Sequence, residues 1–174
     1  MGQITTFLDA LKTHIEGCTP EAWEAAFPDV TCPVTAGLVG ISVELIPEEG
    51  DVEGGVEMSM QKLDGRAIFV DWAGAAFDKD AALNFHTEMK ATISLWSSKL
   101  LLANDAPASR DVAEVLWMWL HGTRLTLPDV PGAFNDVACG ELRKVTATGE
   151  TDGTIYVVYG FDVTAQRTLA SDRI

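Results

Sequence analysis

The sequence predicts an α+β fold: a single mixed or antiparallel sheet, an N-terminal amphipathic helix and a second helix packed on one face. Three observations carry this. Two stretches, 3–16 and 109–121, repeat their apolar residues at helical spacing. Several others alternate apolar and polar residues one by one, as half-buried strands do. The alternating stretches follow one another with few helices between them, unlike the regular exchange of a doubly wound parallel sheet. No internal repeat or interdomain linker interrupts them. All 174 residues are therefore expected to form one domain, with 164–174 as a loose polar tail.

In chain order, Ile4, Phe7, Leu8, Leu11 and Ile15 place one apolar stripe on the first helix, and Gly17 ends it. Thr19-Pro20-Glu21 reads as a helix start, with Thr19 as N-cap and Pro20 in the first turn. That short helix stops at Pro28. A first strand is expected around Thr31–Val34. A stronger one spans Leu38–Ile46, where Ile41, Val43 and Leu45 alternate with Ser42 and Glu44. The loop 47–56 is dense in glycine and acid. Val56–Leu63 and Arg66–Trp72 resume the alternation across Asp64-Gly65, a hairpin signal. Ala73–Asn84 has no clear period and is expected to leave the sheet. Phe85–Leu95 is the clearest strand: Phe85, Thr87, Met89, Ala91, Ile93 and Leu95 share a face, and a slip of one residue would invert them all. Ser109 reads as the N-cap of the second long helix. Val112, Val115, Leu116, Trp119 and Leu120 form its stripe, and Gly122 its stop. Residues 128–136 read as a loop. Strands over Val137–Thr148 and Thr154–Thr164, joined by a glycine-bounded turn, complete the chain.

Composition narrows function. Apolar residues make up 47% and charged residues 22%, ordinary for a globular protein and too apolar for wholesale disorder. Twelve Lys and Arg against 26 Asp and Glu give a net charge of −14. That argues against a phosphate-gripping nucleic-acid binder, which needs a basic face. Cys18, Cys32 and Cys139 form no CxxC pair, and their odd number speaks for reduced thiols rather than a disulfide framework. No basic-then-apolar leader opens the chain, and no apolar run approaches the ~18 residues of a membrane span. Met1–Thr6 fits the loose N-myristoylation pattern, but Ile4 also fits the buried face of the first helix.

No catalytic signature stands out. His14, His86 and His121 fall on three different elements without metal-ligand spacing. No GxSxG elbow, phosphate loop or dinucleotide fingerprint is present. Glu48, Glu49, Asp51, Glu53 and Glu57 could attract calcium, but they miss the EF-hand spacing, and a solvated loop explains them better. No catalytic, cofactor or metal residue is therefore named. An enzyme would have to assemble its site from distant residues, such as His86 and Glu88 with the acids of that loop. Of five tryptophans, Trp119 fits its helix's core stripe. Trp117 falls off that stripe, and Trp96 lies on the opposite face of its strand from Leu95. Both are candidate anchors for a subunit or partner interface.

The layout resembles the tail-terminator (tail-completion) proteins of Mu-like and other long-tailed bacteriophages. The resembling stretch runs from about Arg66 to Val163. It comprises the strand RAIFVDWAG (66–74), the long strand FHTEMKATISLW (85–96), the helix at 109–121 and a closing hairpin from LRKVT (142–146) to TIYVVYGFDV (154–163). The N-terminal helix fits as well. The resemblance implies a virion structural protein, not an enzyme, with no cofactor. It implies a small α+β subunit in a ring, usually hexameric, at the head-proximal end of the tail. Such a ring caps the tube, stops its polymerisation and presents the head-joining surface. Its partners would be further copies of itself, the tube protein, and sheath or head-completion proteins, with DNA only in transit and no membrane. A neighbouring head–tail connector or minor tail protein is the alternative, and a small hydrolase the second.

Charge fits such a role. An acid-lined hole would repel duplex DNA and let it slide, and Glu48, Glu49, Asp51 and Glu53 are the candidate channel-facing loop. Repulsion between acidic subunits then requires apolar or charge-matched contacts. The strand 85–96 is the expected source of a pairing edge.

Overall fold

The fold is α+β, as the sequence predicts: one mixed sheet with helices against one face. The computed structural model describes residues 2–47, 65–79, 84–99, 107–127, 133–148 and 155–169. Helices α1 (Gln3–Glu16) and α2 (Pro20–Ala26) come first. Strands β1 (Ser42–Leu45), β2 (Arg66–Lys79) and β3 (Phe85–Ser98) follow. Then come α3 (Ser109–Leu120), β4 (Asn135–Cys139), β5 (Arg143–Thr148) and β6 (Ile155–Leu169).

The sheet runs β1-β2-β3-β6-β4, with β5 also on β6. Only β1–β2 is parallel; the other pairings are antiparallel. β4 and β5 share one side of β6, β4 against Val163–Gln166 and β5 against Ile155–Gly160. The expected continuous strand 137–148 is thus two strands. They part at Gly140, whose N–H donates to the Asp162 carbonyl (2.8 Å).

Alternation sorts the residues as expected. In β3, Thr87, Met89, Ala91, Ile93 and Leu95 are buried beneath α1 and α3, together with Ile68, Val70, Phe161, Val163 and Ala165 of the neighbouring strands. Phe7, Leu11 and Ile15 of α1 and Val112, Val115, Leu116 and Leu120 of α3 cover them. Each such Leu or Ile contributes on the order of 1.5–3 kcal/mol by leaving water. A smaller cluster, Ala67, Phe69, Tyr156 and Val158 with Trp96, occupies one end of the opposite face.

Capping explains the start of α2 and the end of α3. Thr19 Oγ1 accepts the Ala22 N–H (3.1 Å), and Pro20 opens α2. Gly122, at φ +76°, follows α3 in the left-handed region that terminates helices. Ser109 departs from expectation. Ala108 holds the N-cap position, and the Ser109 hydroxyl lies 3.4 Å from an Arg66 guanidinium nitrogen instead.

Four further expectations are corrected. Residues 31–34 form no strand: 33–34 bend and 35–40 turn, where Gly37 at φ +61° folds the chain tightly back toward Cys18. Residues 73–79 do not leave the sheet. They continue β2 past a bulge between Trp72 and Gly74, which shifts the alternation by one and hides the period. Residues 164–169 are not a loose tail, since β6 pairs with β3 as far as Leu169. Finally, β3 has no edge to offer, being central and paired with β2 and β6 along its length. The hairpin partner 56–63, the turn 149–153 and residues 170–174 lie outside the described residues, as do 128–132 of the expected loop. Its remainder joins Phe134 to Leu125 by an isolated bridge and then begins β4.

Candidate assembly surface

β1 lies against β2 only from Ala67 to Val70, and the Ile46 N–H adds one bond to the Val70 carbonyl (2.9 Å). From Asp71 onward, among the described residues, no strand pairs with the outer side of β2. On the far side of the sheet the same holds for β5, whose residues are nearly all exposed. An unpaired strand edge is a template for another strand.

Along the same stretch of β2 the helix-side face carries exposed aromatics. Ile68 and Val70 are fully buried, but Trp72 is 40% and Phe77 59% exposed, and neighbouring Phe85 of β3 is 41% exposed. Trp72 and Phe77 share this face because the bulge at Ala73 resets the alternation: Trp72 pairs with Ala91 and Phe77 with Thr87, both buried on the helix side. Ile4 and Leu8 of α1, Ile46, Trp72 and Phe77 line a groove of about 780 Å³ there, with Asp71 at its rim. Large exposed aromatics grouped in one groove make this stretch a candidate interaction surface. Sequence reading missed them because the bulge erased their period.

The other face of the sheet carries Glu44, Asp71, Asp78, Glu88 and Asp162, placed there by their pairing with Phe69, Thr92, His86, Ala76 and Thr92 respectively. Lys90 on the same face is 3.3 Å from Glu88, and the Thr92 hydroxyl donates to Asp162 (3.1 Å). Acids predominate there, so this face is negative.

The two candidate interface tryptophans lie apart. Trp96 is half-buried in the small cluster, with its ring centroid 6.3 Å from Phe69 and 5.7 Å from Tyr156. Its indole N–H donates to Ser94 (3.2 Å). Trp117 is also half-buried; it stacks on His121 at 4.5 Å and donates to the Gly140 carbonyl (2.8 Å). His121 Nδ1 accepts the Cys139 N–H (3.1 Å). Glu48, Glu49, Asp51, Glu53 and Glu57 lie outside the described residues.

A cleft of about 320 Å³ at the end of β2, β3 and β6 does gather His86 and Glu88, with Asp78 and Arg167. His86 Nδ1 is 3.2 Å from the Thr168 hydroxyl. Thr87 donates to Gln3 (3.1 Å), and the Arg167 guanidinium lies 5.0 Å from the Phe134 ring centre. Among the described residues no three His, Cys, Asp or Glu are grouped to hold a metal. Burial pushes the Cys18 thiol up to about 11 and Cys139 to about 12, so neither is poised as a thiolate nucleophile at neutral pH. Among the described residues no helix is long and apolar enough to cross a membrane.

The sequence matches no protein-family model and no curated protein.

Proposed function

We propose that this chain is a bacteriophage tail terminator, a structural subunit that closes into a ring on the head-proximal end of the tail tube. The ring, six copies by family resemblance, halts tube polymerisation and presents the surface to which the head joins. DNA passes through it without being bound. The observation that best supports the reading is a pair of dissimilar edges, β2 from Asp71 onward and β5, on opposite sides of one sheet and without a partner strand among the described residues. Head-to-tail contacts between two different patches generate closed rings when the rotation allows. The acid-rich sheet face and the net charge of −14 suit a hole that must not grip phosphates.

The test is addition of the purified chain to polymerising tail-tube protein, read by electron microscopy. Rings seated on one end of tubes that stop growing are the expected result. Tubes that elongate unchecked, with no ring at either end, overturn the reading. Rings on the head portal but absent from tube ends would place the protein among head–tail connectors instead.

A further inference from the structure

We propose that the ring seam is a continuous sheet, in which β5 of one copy adds to the edge of β2 over residues 72–78 in the next, where no described strand lies. The inference rests on the terminator reading above and specifies the contact that reading requires. Three observations select β5 of a second copy as the occupant of this edge and of the groove beside it.

The first is length. β5 has six residues and β2 runs nine residues beyond Val70, to Lys79, so the short strand fits the open stretch. The second is charge. In a chain with 12 basic and 26 acidic residues, β5 opens with Arg143 and Lys144, both exposed. Among the described residues Arg143 has a distant companion in Glu141 at 3.9 Å, and both side chains are largely in water. The receiving edge ends with Asp78, also exposed. Opposite charges on two edges of an otherwise acidic subunit select heterologous pairing over the pairing of like edges.

The third is facing. Lys144 pairs with Tyr159, on the helix side, and Arg143 with Gly160, on the acidic side. On β2, Trp72 and Phe77 face the helix side and Asp78 the acidic side. A sheet continued with the same face outward runs β5 antiparallel to β2, because β2–β3, β3–β6 and β6–β5 are each antiparallel. Clear of β1, that register brings the Lys144 stem to Phe77, Thr148 to Trp72 and Arg143 to Asp78. Lysine stems pack well on such rings. Continuing the sheet also keeps every helix on one side of the ring and all the acidic faces on the other, where the hole would be.

The experiment uses the full chain at micromolar concentration, with assembly followed by native mass spectrometry and sedimentation. R143E/K144E, on an exposed strand, is expected to keep its circular dichroism and to need at least tenfold more protein to assemble. D78K on that background is expected to recover most of the loss. W72S/F77S should assemble as poorly as R143E/K144E. As an independent readout, F77C and K144C chains mixed under mild oxidation should form a crosslinked pair that neither forms alone. Rings that form normally in R143E/K144E and W72S/F77S, without that crosslink, overturn the seam and leave the terminator reading standing. Association that depends on these residues but never yields rings or caps tubes retains the seam and removes the terminator reading. A chain that stays monomeric throughout overturns both.

Discussion

His14 and Trp119 bind each other twice. The Trp119 indole N–H donates to the His14 carbonyl at 2.7 Å, and His14 Nε2 lies 3.1 Å from the Trp119 carbonyl. A carbonyl only accepts, so Nε2 carries the proton and donates. The two rings stack, 5.0 Å apart and 15° from parallel. This exchange locks α1 to α3 over the sheet, with Trp23 stacked beyond at 6.4 Å.

Burial holds the His14 imidazole below its ordinary value of 6.5, against the smaller upward pull of its bond to Trp119. The folded chain therefore resists protonation that the unfolded chain accepts. Stability is full above pH 6.5 and falls as the pH drops through that value toward the lower folded one. Urea midpoints should drop between pH 7.5 and 5.5, and H14F, which keeps a ring but cannot titrate, should drop less. Equal slopes for the two proteins would remove His14 as the cause. H14A at pH 7.5 should lose about 1–2 kcal/mol, the scale of a buried bond with its acceptor left unpaired.

Gly37 is a second constrained point. It sits at φ +61°, and a Cβ there would lie 2.7 Å from the Cys18 carbonyl oxygen. That oxygen also accepts the Leu38 N–H at 3.0 Å, so it cannot withdraw freely. G37A should destabilise by at least about 2 kcal/mol, left-handed strain and the contact acting together. Gly40 is the control: it has φ +83° but nothing within 4 Å of its Cβ position. G40A should cost only about 1 kcal/mol of strain. Equal losses in thermal or urea unfolding would show that the contact with Cys18 is relieved cheaply.

Arg66 ties the start of β2 to the approach of α3. Its Nε donates to Ser97 (2.9 Å) and a terminal nitrogen to the Pro107 carbonyl (2.7 Å), and the side chain is 8% exposed. Burial lowers its proton affinity, yet a guanidinium remains charged at any pH of use. R66M keeps much of the apolar stem and removes these bonds together with the longer one to Ser109. It should cost about 2–3 kcal/mol, because the Pro107 carbonyl loses a charged donor. R66K reaches with one point charge where Arg66 uses a fork, and should recover less than half of that. Full recovery in R66K would mean that charge alone, without the planar fork, sustains the site.

These contacts also explain what was legible in the sequence. α1, α3 and β3 could be read because each buries one side against a single core, so the pattern of Phe7, Leu11 and Ile15 or of Met89, Ala91 and Ile93 repeats undisturbed. The second half of β2 could not, because a single bulged residue inverts the pattern between Trp72 and Phe77. The far end of β6 read as polar because Thr164, Gln166 and Thr168 face the acidic side, while Ala165 and Arg167 supply small or charged residues on the other. Ser109 looked like a cap because a serine before an acidic turn usually is one; Arg66, 43 residues earlier, competes for its hydroxyl. The assembly surface was hidden for the same reason as β2. Its chemistry lies in which face Trp72 and Phe77 occupy, and local sequence does not encode that once the register has shifted.

Trp117 separates an internal role from an interfacial one. Its N–H holds the Gly140 carbonyl at the corner between β4 and β5, and its ring covers His121, which in turn accepts the Cys139 N–H. The corner sets where β5 begins, and β5 is the donor strand of the proposed seam. W117F preserves the ring but removes the bond to Gly140, and should cost about 1 kcal/mol of stability. Because the seam contacts are Trp72, Phe77 and Asp78 on β2 with Arg143 and Lys144 on β5, the concentration at which W117F assembles should stay within twofold of wild type. W117A loses ring and bond together. It should destabilise more and, by loosening the corner, weaken assembly in proportion to the stability lost. Sedimentation of both variants beside their urea midpoints gives the comparison. Weakened assembly in W117F at undiminished stability would instead make Trp117 a direct subunit contact, and would require a second interface beyond the continued sheet.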